Sequence, residues 1–394
     1  MGNILALVDQ ARFSGMGAGD TISIRNSTLR WDDTGTQALA TRISSDVAIE
    51  LDGGTFEYRS RGSVATGISL GNLSLVGGTS TLLVASGTSG LGDGTLSLGG
   101  NFTRSTGATL NFASPSGVIG ASPYVTATAT ALSTKTNGIL GGWATVYGLN
   151  GTTASTDFEF ATYDPIVGIR PLNLVEQTAT FAASTSASNL RFTGTQTVPA
   201  GGATVNSVTM NSATAATLAF ANGTDKLIVA SGGILAGAGD VARSIGSASI
   251  RGQLTSSGSE LFIHNGKNTL TVYADITGTL SPVFTSGGLA GGSVTVLAGP
   301  NSYVGAAYVD GVVLNLGILG TTTTTNAITG DLTVTGGTTN GSASATNAAS
   351  SVTWQASNQV ADTANLFIRG GAVLQLGGFS DTVASLTFNS QGGY

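Results

Sequence analysis

Three acidic residues are the first candidates for chemistry in this sequence. Asp157, Glu159 and Asp164 lie close together, with Arg170 shortly after them. In an extended strand Asp157 and Glu159 would share one face, and paired carboxylates act as acid and base in glycoside cleavage or as calcium ligands. They fall in a loop-like insertion, as does a second acidic pair, Asp32 and Asp33, and nothing in the sequence joins the two groups. We therefore predict no catalytic residue and no metal site, and keep Asp157, Glu159 and Asp164 as ligand-binding candidates.

The single histidine, His264, is the only other conventional acid–base group. One histidine and no cysteine cannot form a multi-histidine or thiolate metal site. A serine or threonine nucleophile needs a positioned base, and a single histidine is available in the whole sequence. His264 could act beside Glu260, but we expect a strand-end residue whose ring bonds a neighbouring turn. The prediction is a protein that is not an enzyme and has no cofactor.

Aromatic residues are the remaining candidates for ligand binding. Tryptophan faces can stack on sugars, because they offer apolar area with polar edges. Trp31 and Trp354 are expected to fill the core or a corner. Trp143 lies in the glycine-flanked segment LGGWATVYG and is the candidate for an exposed sugar-binding ring.

The composition narrows the possible partners. Only 9% of the 394 residues are charged and the net charge is −6, so no basic surface is available for nucleic acid. The apolar runs are broken well before the ~20 residues that a transmembrane helix needs. The first residues, MGNILALVDQ, lack the basic start of a signal peptide. We therefore predict no nucleic-acid partner and no transmembrane segment.

The elements that would position any site are short strands. Runs such as STLLVAS, KLIVASGG and NTLTVYADI alternate apolar residues with Thr, Ser and Asn, the pattern of a strand with one buried face. Glycine pairs between the runs supply the turn positions. Because one sandwich of this length would be abnormally large, the pattern favours an all-β solenoid, an elongated rod of stacked coils about 75–90 Å long.

An internal repeat supports the solenoid. Residues 44–58, SSDVAIELDGGTFEY, recur as residues 362–376, DTANLFIRGGAVLQL, so that Gly53 falls on Gly370. We predict one continuous solenoid over residues 1–394, a fragment of a longer modular protein.

One stretch carries a family resemblance. Residues 293–317 contain the strand Thr295-Val296-Leu297, then Asn301, Tyr303 and Gly305, then Gly311 followed by a strand with Leu314 and Leu316. This order resembles the autotransporter-associated β-strand repeat of bacterial surface and secreted proteins. Segments 137–146, 257–265 and 377–388 are similar to stretches that accompany the repeat.

The resemblance implies a right-handed parallel β-helix located outside the cell or on the bacterial surface. It implies a structural role, as a stalk, a surface fibre or an adhesin-like passenger segment. Uncapped solenoid ends invite stacking, so we expect self-association or contact with neighbouring modules. The alternative is a carbohydrate-binding or carbohydrate-active β-helix with glycans as partners.

Overall fold

The computed structural model is an all-β chain whose strands pair almost entirely in parallel. It describes residues 3–62, 64–85, 94–115, 119, 124–127, 130–148, 158–210, 214–237, 239, 241–287, 292–296, 301–317, 326–336 and 350–389. The all-β class and the parallel pairing confirm that part of the sequence-based prediction. The arrangement is solenoid-like, because successive strands alternate between sheets and each pairs with a strand one coil earlier.

The first half of the chain forms one stack of coils, which we call the first stack. Its strands are Ile4–Val8 (β1), Thr21–Arg25 (β2), Thr28–Asp32 (β3), Ala48–Asp52 (β4), Thr55–Arg59 (β5), Thr66–Leu70 (β6), Leu73–Gly77 (β7), Thr79–Ala85 (β8), Gly94–Leu98 (β9), Phe102–Arg104 (β10), Thr109–Ser114 (β11), Tyr124–Ala127 (β12), Ala144–Gly148 (β13), Phe158–Asp164 (β14) and Gly168–Pro171 (β15). A short helix, Thr130–Ser133 (α1), follows β12.

The second half forms a second stack, reached through two 3-10 helices at Leu174–Glu176 and Phe181–Ala183. Its strands are Asn189–Phe192 (β16), Thr195–Val198 (β17), Ala203–Met210 (β18), Ala216–Phe220 (β19), Lys226–Ala236 (β20), Arg243–Ile245 (β21), Gln253–Ser256 (β22), Glu260–Asn265 (β23), Asn268–Val272 (β24), Asp275–Gly278 (β25), Ser281–Thr285 (β26), Gly292–Val296 (β27), Ser302–Tyr303 (β28), Ala307–Asp310 (β29), Val312–Leu316 (β30), Leu332–Thr335 (β31), Ser351–Trp354 (β32), Asn365–Arg369 (β33), Val373–Gln375 (β34) and Ser385–Asn389 (β35).

The strand pairing separates the two stacks. The first contains an eleven-stranded and a four-stranded sheet, the second a twelve-stranded and an eight-stranded sheet, and no described strand of one pairs with a strand of the other. The longest ladder of the second stack, β16 to β35, has nine layers, about 40 Å at strand spacing. Where the sequence predicts one continuous rod, the strand pairing therefore gives two shorter stacks.

The stacks lie side by side and run in opposite directions. Contacts pair Asp52 with Arg369, Thr79 with Asp310, Arg104 with Glu260 and Asn137 with Asn206. The partner number falls as the first number rises, which is the pattern of two antiparallel bodies. The chain therefore folds back on itself, and the start of the first stack lies beside the end of the second.

Alternation explains the interior of each stack. Strands such as β7, β19 and β30 bury every second residue. The buried positions align between coils, as in the column Val309, Val334 and Ile368. Each stack thus encloses its own apolar cluster of Val, Leu, Ile and aromatic side chains, because parallel, in-register pairing places like residues above one another.

The repeat-like stretch at 293–317 makes one coil through β27, β28 and β29 and enters the next coil at β30, which pairs with β27. Asn301 occupies the corner, where its Oδ1 accepts the Ile276 N–H at 2.9 Å and its Nδ2 donates to the Ala327 carbonyl at 2.9 Å. One amide therefore ties its coil to the coils before and after it.

Tyr303 stabilises the same corner. Its hydroxyl accepts the Thr329 N–H, and its carbonyl accepts the Thr329 hydroxyl at 2.7 Å. Gly305 follows, where a Cβ atom would lie 2.5 Å from the Leu280 carbonyl oxygen, so the close packing of coils requires glycine. Gly311 adopts φ +70 before the next strand, in which Leu314 and Leu316 are fully buried. The six residues of the repeat motif thus all occupy structural positions in the coils: Asn301, Tyr303, Gly305, Gly311, Leu314 and Leu316.

Candidate functional site

Strand β14 carries two of the predicted acids, and they do not form a catalytic pair. Glu159 is buried, and its carboxylate accepts hydrogen bonds from Arg191 at 2.9 Å and Gln177 at 3.2 Å. Asp164 lies five residues further along the extended strand, about 16 Å away. That separation exceeds the ~5–9.5 Å of a carboxylate pair in glycosidases. Asp157 lies outside the described residues.

Asp164 stabilises the turn between β14 and β15. Its Oδ1 accepts the Ile166 N–H at 2.8 Å and the Val167 N–H at 3.3 Å. These backbone bonds, with a smaller contribution from Arg170, hold the pKa of this carboxyl below its usual range. Arg170 is itself held by Glu176 through two hydrogen bonds of 2.7 and 2.8 Å. A carboxylate with a lowered pKa does not supply a proton at neutral pH.

Trp143 packs against its neighbours within the first stack. Its ring stacks on Phe102 with centroids 5.3 Å apart and planes 21° apart, and the Arg104 guanidinium carbon lies 5.7 Å from the ring centroid. The side chain is half-buried. The ring therefore covers the end of β10 and orients Arg104.

Arg104 leads from this aromatic pair to the interface between the stacks. Both guanidinium Nη atoms bond the Glu260 carboxylate, and the Gly107 N–H donates to Glu260 Oε1 at 2.8 Å. The two side chains are 19% and 8% exposed. A bidentate, largely desolvated ion pair of this kind fixes the two stacks in one register.

His264 is sealed in the same interface. Its Nε2 lies 2.7 Å from the Gly142 carbonyl oxygen of the first stack, the geometry of an Nε2–H donor. Phe262 stacks on the ring and Phe160 meets it edge-on. Complete burial lowers the pKa of this imidazole to about 4, so it stays neutral near pH 7. The ring joins the stacks and does not face solvent.

Asp310 is a further ionisable group at the interface. Its Oδ2 accepts the Thr79 N–H from the first stack, and Asp52 with its partner Arg369 lies nearby. Burial, opposed by the bonds from Thr79 and reinforced by the charge of Asp52, raises the pKa of Asp310 to about 7. The hydroxyls of Thr79 and Thr285 meet beside it at 2.6 Å.

The comparisons add no relative. Protein-family models, curated proteins and solved structures give no match to this chain. Function must therefore be argued from the residues themselves.

Among the described residues, no group of three or more His, Cys, Asp or Glu side chains is placed to hold a metal ion. No helix in the described part of the chain is long and apolar enough to cross a membrane.

Sequence reasoning missed the interface although one signal for it was present. The internal repeat has an offset of 317 residues, and Asp52 and Arg369, which pair across the interface, are separated by 317 residues. Equivalent positions of the two copies thus carry opposite charges and meet. The opposite charges at these matched positions can be read from the sequence alone, and the structure shows that the two residues are in contact.

Proposed function

We propose that this chain is a non-enzymatic structural element, a rigid stalk, surface fibre or adhesin-like passenger segment located outside the cell or on its surface. In this proposal the coils wind as a right-handed parallel β-helix. The observation that carries it is the use made of the described acid–base groups. His264, Glu260, Asp310 and Glu159 are buried and bonded to neighbouring segments, so the chemistry of this chain serves to hold stacks and coils together.

The composition supports the same role. In-register stacking places equivalent side chains at strand spacing, where like charges repel, and a surface of Ser, Thr and Asn avoids that repulsion. With 9% charged residues and no cysteine, the chain relies on a repetitive apolar core for its stability. An extracellular protein of this size does not need disulfides when its core is large.

Surface labelling of intact cells tests the location and role. Antibodies raised against the purified chain are expected to label cells of the source organism without lysis, and brief protease treatment should remove the label. Labelling that requires lysis would overturn the extracellular proposal.

A turnover assay tests the absence of catalysis. The purified chain is incubated with a panel of acidic and neutral polysaccharides, and new reducing ends and unsaturated products are measured. We expect none above the level of a heat-unfolded sample. The control is Glu50→Gln, in the partly exposed ion pair of Glu50 with Arg25. Turnover that is lost in Glu159→Gln or Asp164→Asn, but kept in this control, would make the chain a carbohydrate-active enzyme.

Carbohydrate binding without cleavage is the second candidate, and one surface favours it. On the solvent side of the eight-stranded sheet, polar side chains align in register from β17 to β34. The described members are Thr195, Thr217, Ser244, Thr271, Asn315, Thr353 and Gln375. Hydroxyl and amide groups repeated at strand spacing can hydrogen-bond a linear glycan. Glycan-array binding that is lost in Thr217→Val with Thr271→Val, but not in Thr103→Val on another sheet, would support it.

A further inference from the structure

Asparagine followed by glycine is a chemically reactive pair, and the sequence contains several of them. Asparagine is among the labile residues of proteins, and a following glycine lacks the side chain that would obstruct attack by its backbone nitrogen. The reaction requires that nitrogen to reach the side-chain carbonyl carbon of the asparagine, so the local structure decides which pair reacts. The pairs are Asn137–Gly138, Asn150–Gly151, Asn222–Gly223, Asn265–Gly266 and Asn340–Gly341. The second and the last lie outside the described residues.

The pair Asn265–Gly266 is fixed inside the second stack. Asn265 is the last residue of β23 and has no exposed surface. The Gly266 N–H donates to the Ala236 carbonyl at 2.9 Å, and Asn265 Nδ2 donates to the Asn268 carbonyl at 2.9 Å. The attacking nitrogen is thus already hydrogen-bonded, and the buried side chain is not free to rotate towards it.

The pair Asn137–Gly138 is held by contacts with the other stack. Asn137 adopts φ +50 and Gly138 adopts φ +90, the geometry of a tight turn. Asn137 Nδ2 donates to Asn206 Oδ1 at 3.2 Å, and the Asn137 carbonyl accepts Asn189 Nδ2 at 2.7 Å. Rotation of the Asn137 side chain therefore breaks a hydrogen bond between the stacks.

The pair Asn222–Gly223 lies in the exposed turn between β19 and β20, and its hydrogen bonds are local. Asn222 donates to Asp225 Oδ2 from its backbone N–H at 2.6 Å and from Nδ2 at 3.2 Å. In the described part of the chain no group accepts the Gly223 N–H. The attacking nitrogen is free, and the Asn222 side chain can rotate without breaking a hydrogen bond to another coil.

We infer that Asn222 is a site of spontaneous deamidation, at which the chain converts an asparagine to aspartate and isoaspartate. The Gly223 nitrogen attacks Asn222 Cγ, so that a new C–N bond forms and the Cγ–Nδ2 bond breaks. The proton lost from the Gly223 nitrogen leaves with Nδ2 as ammonia. The site depends on local geometry and not on the role proposed above.

The second step consumes one water molecule and needs no oxidant, metal or cofactor. Water adds to either carbonyl carbon of the five-membered succinimide ring and breaks the bond from that carbon to the Gly223 nitrogen. Cleavage at the side-chain carbonyl gives aspartate with the original backbone. Cleavage at the main-chain carbonyl gives isoaspartate, in which the backbone runs through the former side chain.

Asp225 makes the conversion consequential for the stack. It is only 4% exposed, and its Oδ1 accepts the Gly201 N–H of the preceding coil at 2.8 Å. A carboxylate at position 222 no longer donates from Nδ2, and it places a second negative charge beside Asp225, where like charges repel. Isoaspartate also adds one atom to the backbone of the turn. Both products weaken a contact that joins two coils.

The structure supplies a variant that blocks the reaction and keeps the fold. A Cβ atom at Gly223 would meet no atom within 4 Å, and Gly223 is not among the residues with positive φ. Gly223→Ala should therefore fold normally, while its methyl group obstructs closure of the ring. Gly17 is equally unobstructed, so Gly17→Ala is the matched control.

Peptide mapping of the full chain after incubation at pH 8 tests the inference. The tryptic peptide that contains Asn222 should gain the mass difference between an amide and an acid, and fragmentation should place the change at residue 222. Gly223→Ala should slow this gain at least tenfold, and Gly17→Ala should leave it unchanged. Asn137 and Asn265 should convert at least tenfold more slowly than Asn222. A protease that cleaves before aspartate but not before isoaspartate separates the two products.

Three results would overturn the inference. The first is an unchanged Asn222 under conditions in which the free peptide of residues 218–227 converts. The second is conversion of Asn137 or Asn265 as fast as that of Asn222. The third is a rate at Asn222 that Gly223→Ala leaves unchanged. Circular dichroism of each variant separates a change in the local reaction from a loss of folding.

Discussion

The interior of each stack and the interface between the stacks are both buried, but the interface mixes apolar side chains with ionisable and hydroxyl groups. The interiors are columns of Leu, Val, Ile and Phe. The interface contains His264, Asp310, Glu260 and a chain of threonine hydroxyls. In β8, β11 and β23 every residue is buried, because one face of each strand meets the core of its own stack and the other face meets the neighbouring stack. The outer face of a solenoid strand, which the alternation of apolar and polar residues predicts to be solvent-exposed, can therefore be buried against another stack.

The difference has an energetic consequence. Apolar columns stabilise through burial that is independent of pH, whereas buried ionisable groups depend on their partners and on protonation. Perturbation of the core should change stability at all pH values, and perturbation of the interface should change the pH dependence. Variants at four positions test this contrast.

The largest effect is expected from the core. Phe112→Ala removes a fully buried ring from the first stack and should lower the free energy of unfolding by about 3–5 kcal/mol. Chemical denaturation at several pH values measures it, and the loss should be the same at each. Val175→Ala, at a 93% exposed site, is the control. A loss that varies strongly with pH would break the contrast between core and interface.

The next effect is expected at the Arg104–Glu260 pair. Glu260→Gln keeps an oxygen for the Gly107 N–H but leaves the Arg104 guanidinium largely desolvated without its counter-charge, which should cost about 2–4 kcal/mol. The control is Glu50→Gln, whose partner Arg25 is 46% exposed and whose loss should stay below about 1 kcal/mol. Equal losses in the two variants would show that the interface pair is no more desolvated than a surface pair.

Replacement of Asp310 should stabilise the protein at high pH, whereas the two variants above destabilise it. Its pKa of about 7 in the folded chain lies above the ~3.9 of an unfolded aspartate, so the folded state holds a proton that the unfolded state releases. Its contribution is present below about pH 4 and is lost as the pH rises toward 7. Asp310→Asn should remove that loss and stabilise the protein at pH 8 by about 2–3 kcal/mol. Urea denaturation from pH 4 to 8 measures this, and an unchanged slope would contradict it.

Replacement of His264 should give the smallest effect on stability. Its effect should appear as the pH falls, whereas that of Asp310 appears as the pH rises. Its pKa of about 4 lies below the ~6.5 of an unfolded histidine, so acidification from about pH 6.5 to 4 favours the unfolded state. His264→Gln keeps a donor for the Gly142 carbonyl and should flatten this loss by about 1–2 kcal/mol across the window. Urea denaturation in the Asp310→Asn background should show the histidine slope alone. If stability in this background does not fall between pH 6.5 and 4, the His264 ring is not buried as the structure indicates.

Several features were predictable from sequence because they depend on short-range pattern. Period-two alternation predicted the strands, since one buried face needs an apolar residue at every second position. The resemblance put Asn301, Tyr303 and Gly305 between two strands, and Asn301 and Tyr303 are buried at that corner. Trp143 and Glu159 were chosen for their chemistry, but their structural contacts come from Phe102, Arg104 and Arg191, which lie far from them in sequence.

The sequence by itself therefore determined that the chain is all-β, with parallel, in-register strands around apolar columns. Only the tertiary structure decided that the chain folds back into two stacks, and which outward faces become buried. The physical reason is that inward positions tolerate only apolar residues, so they are legible in the sequence. Outward threonine, serine and asparagine hydrogen-bond equally well to water and to another strand face, so their burial depends on which distant surface reaches them.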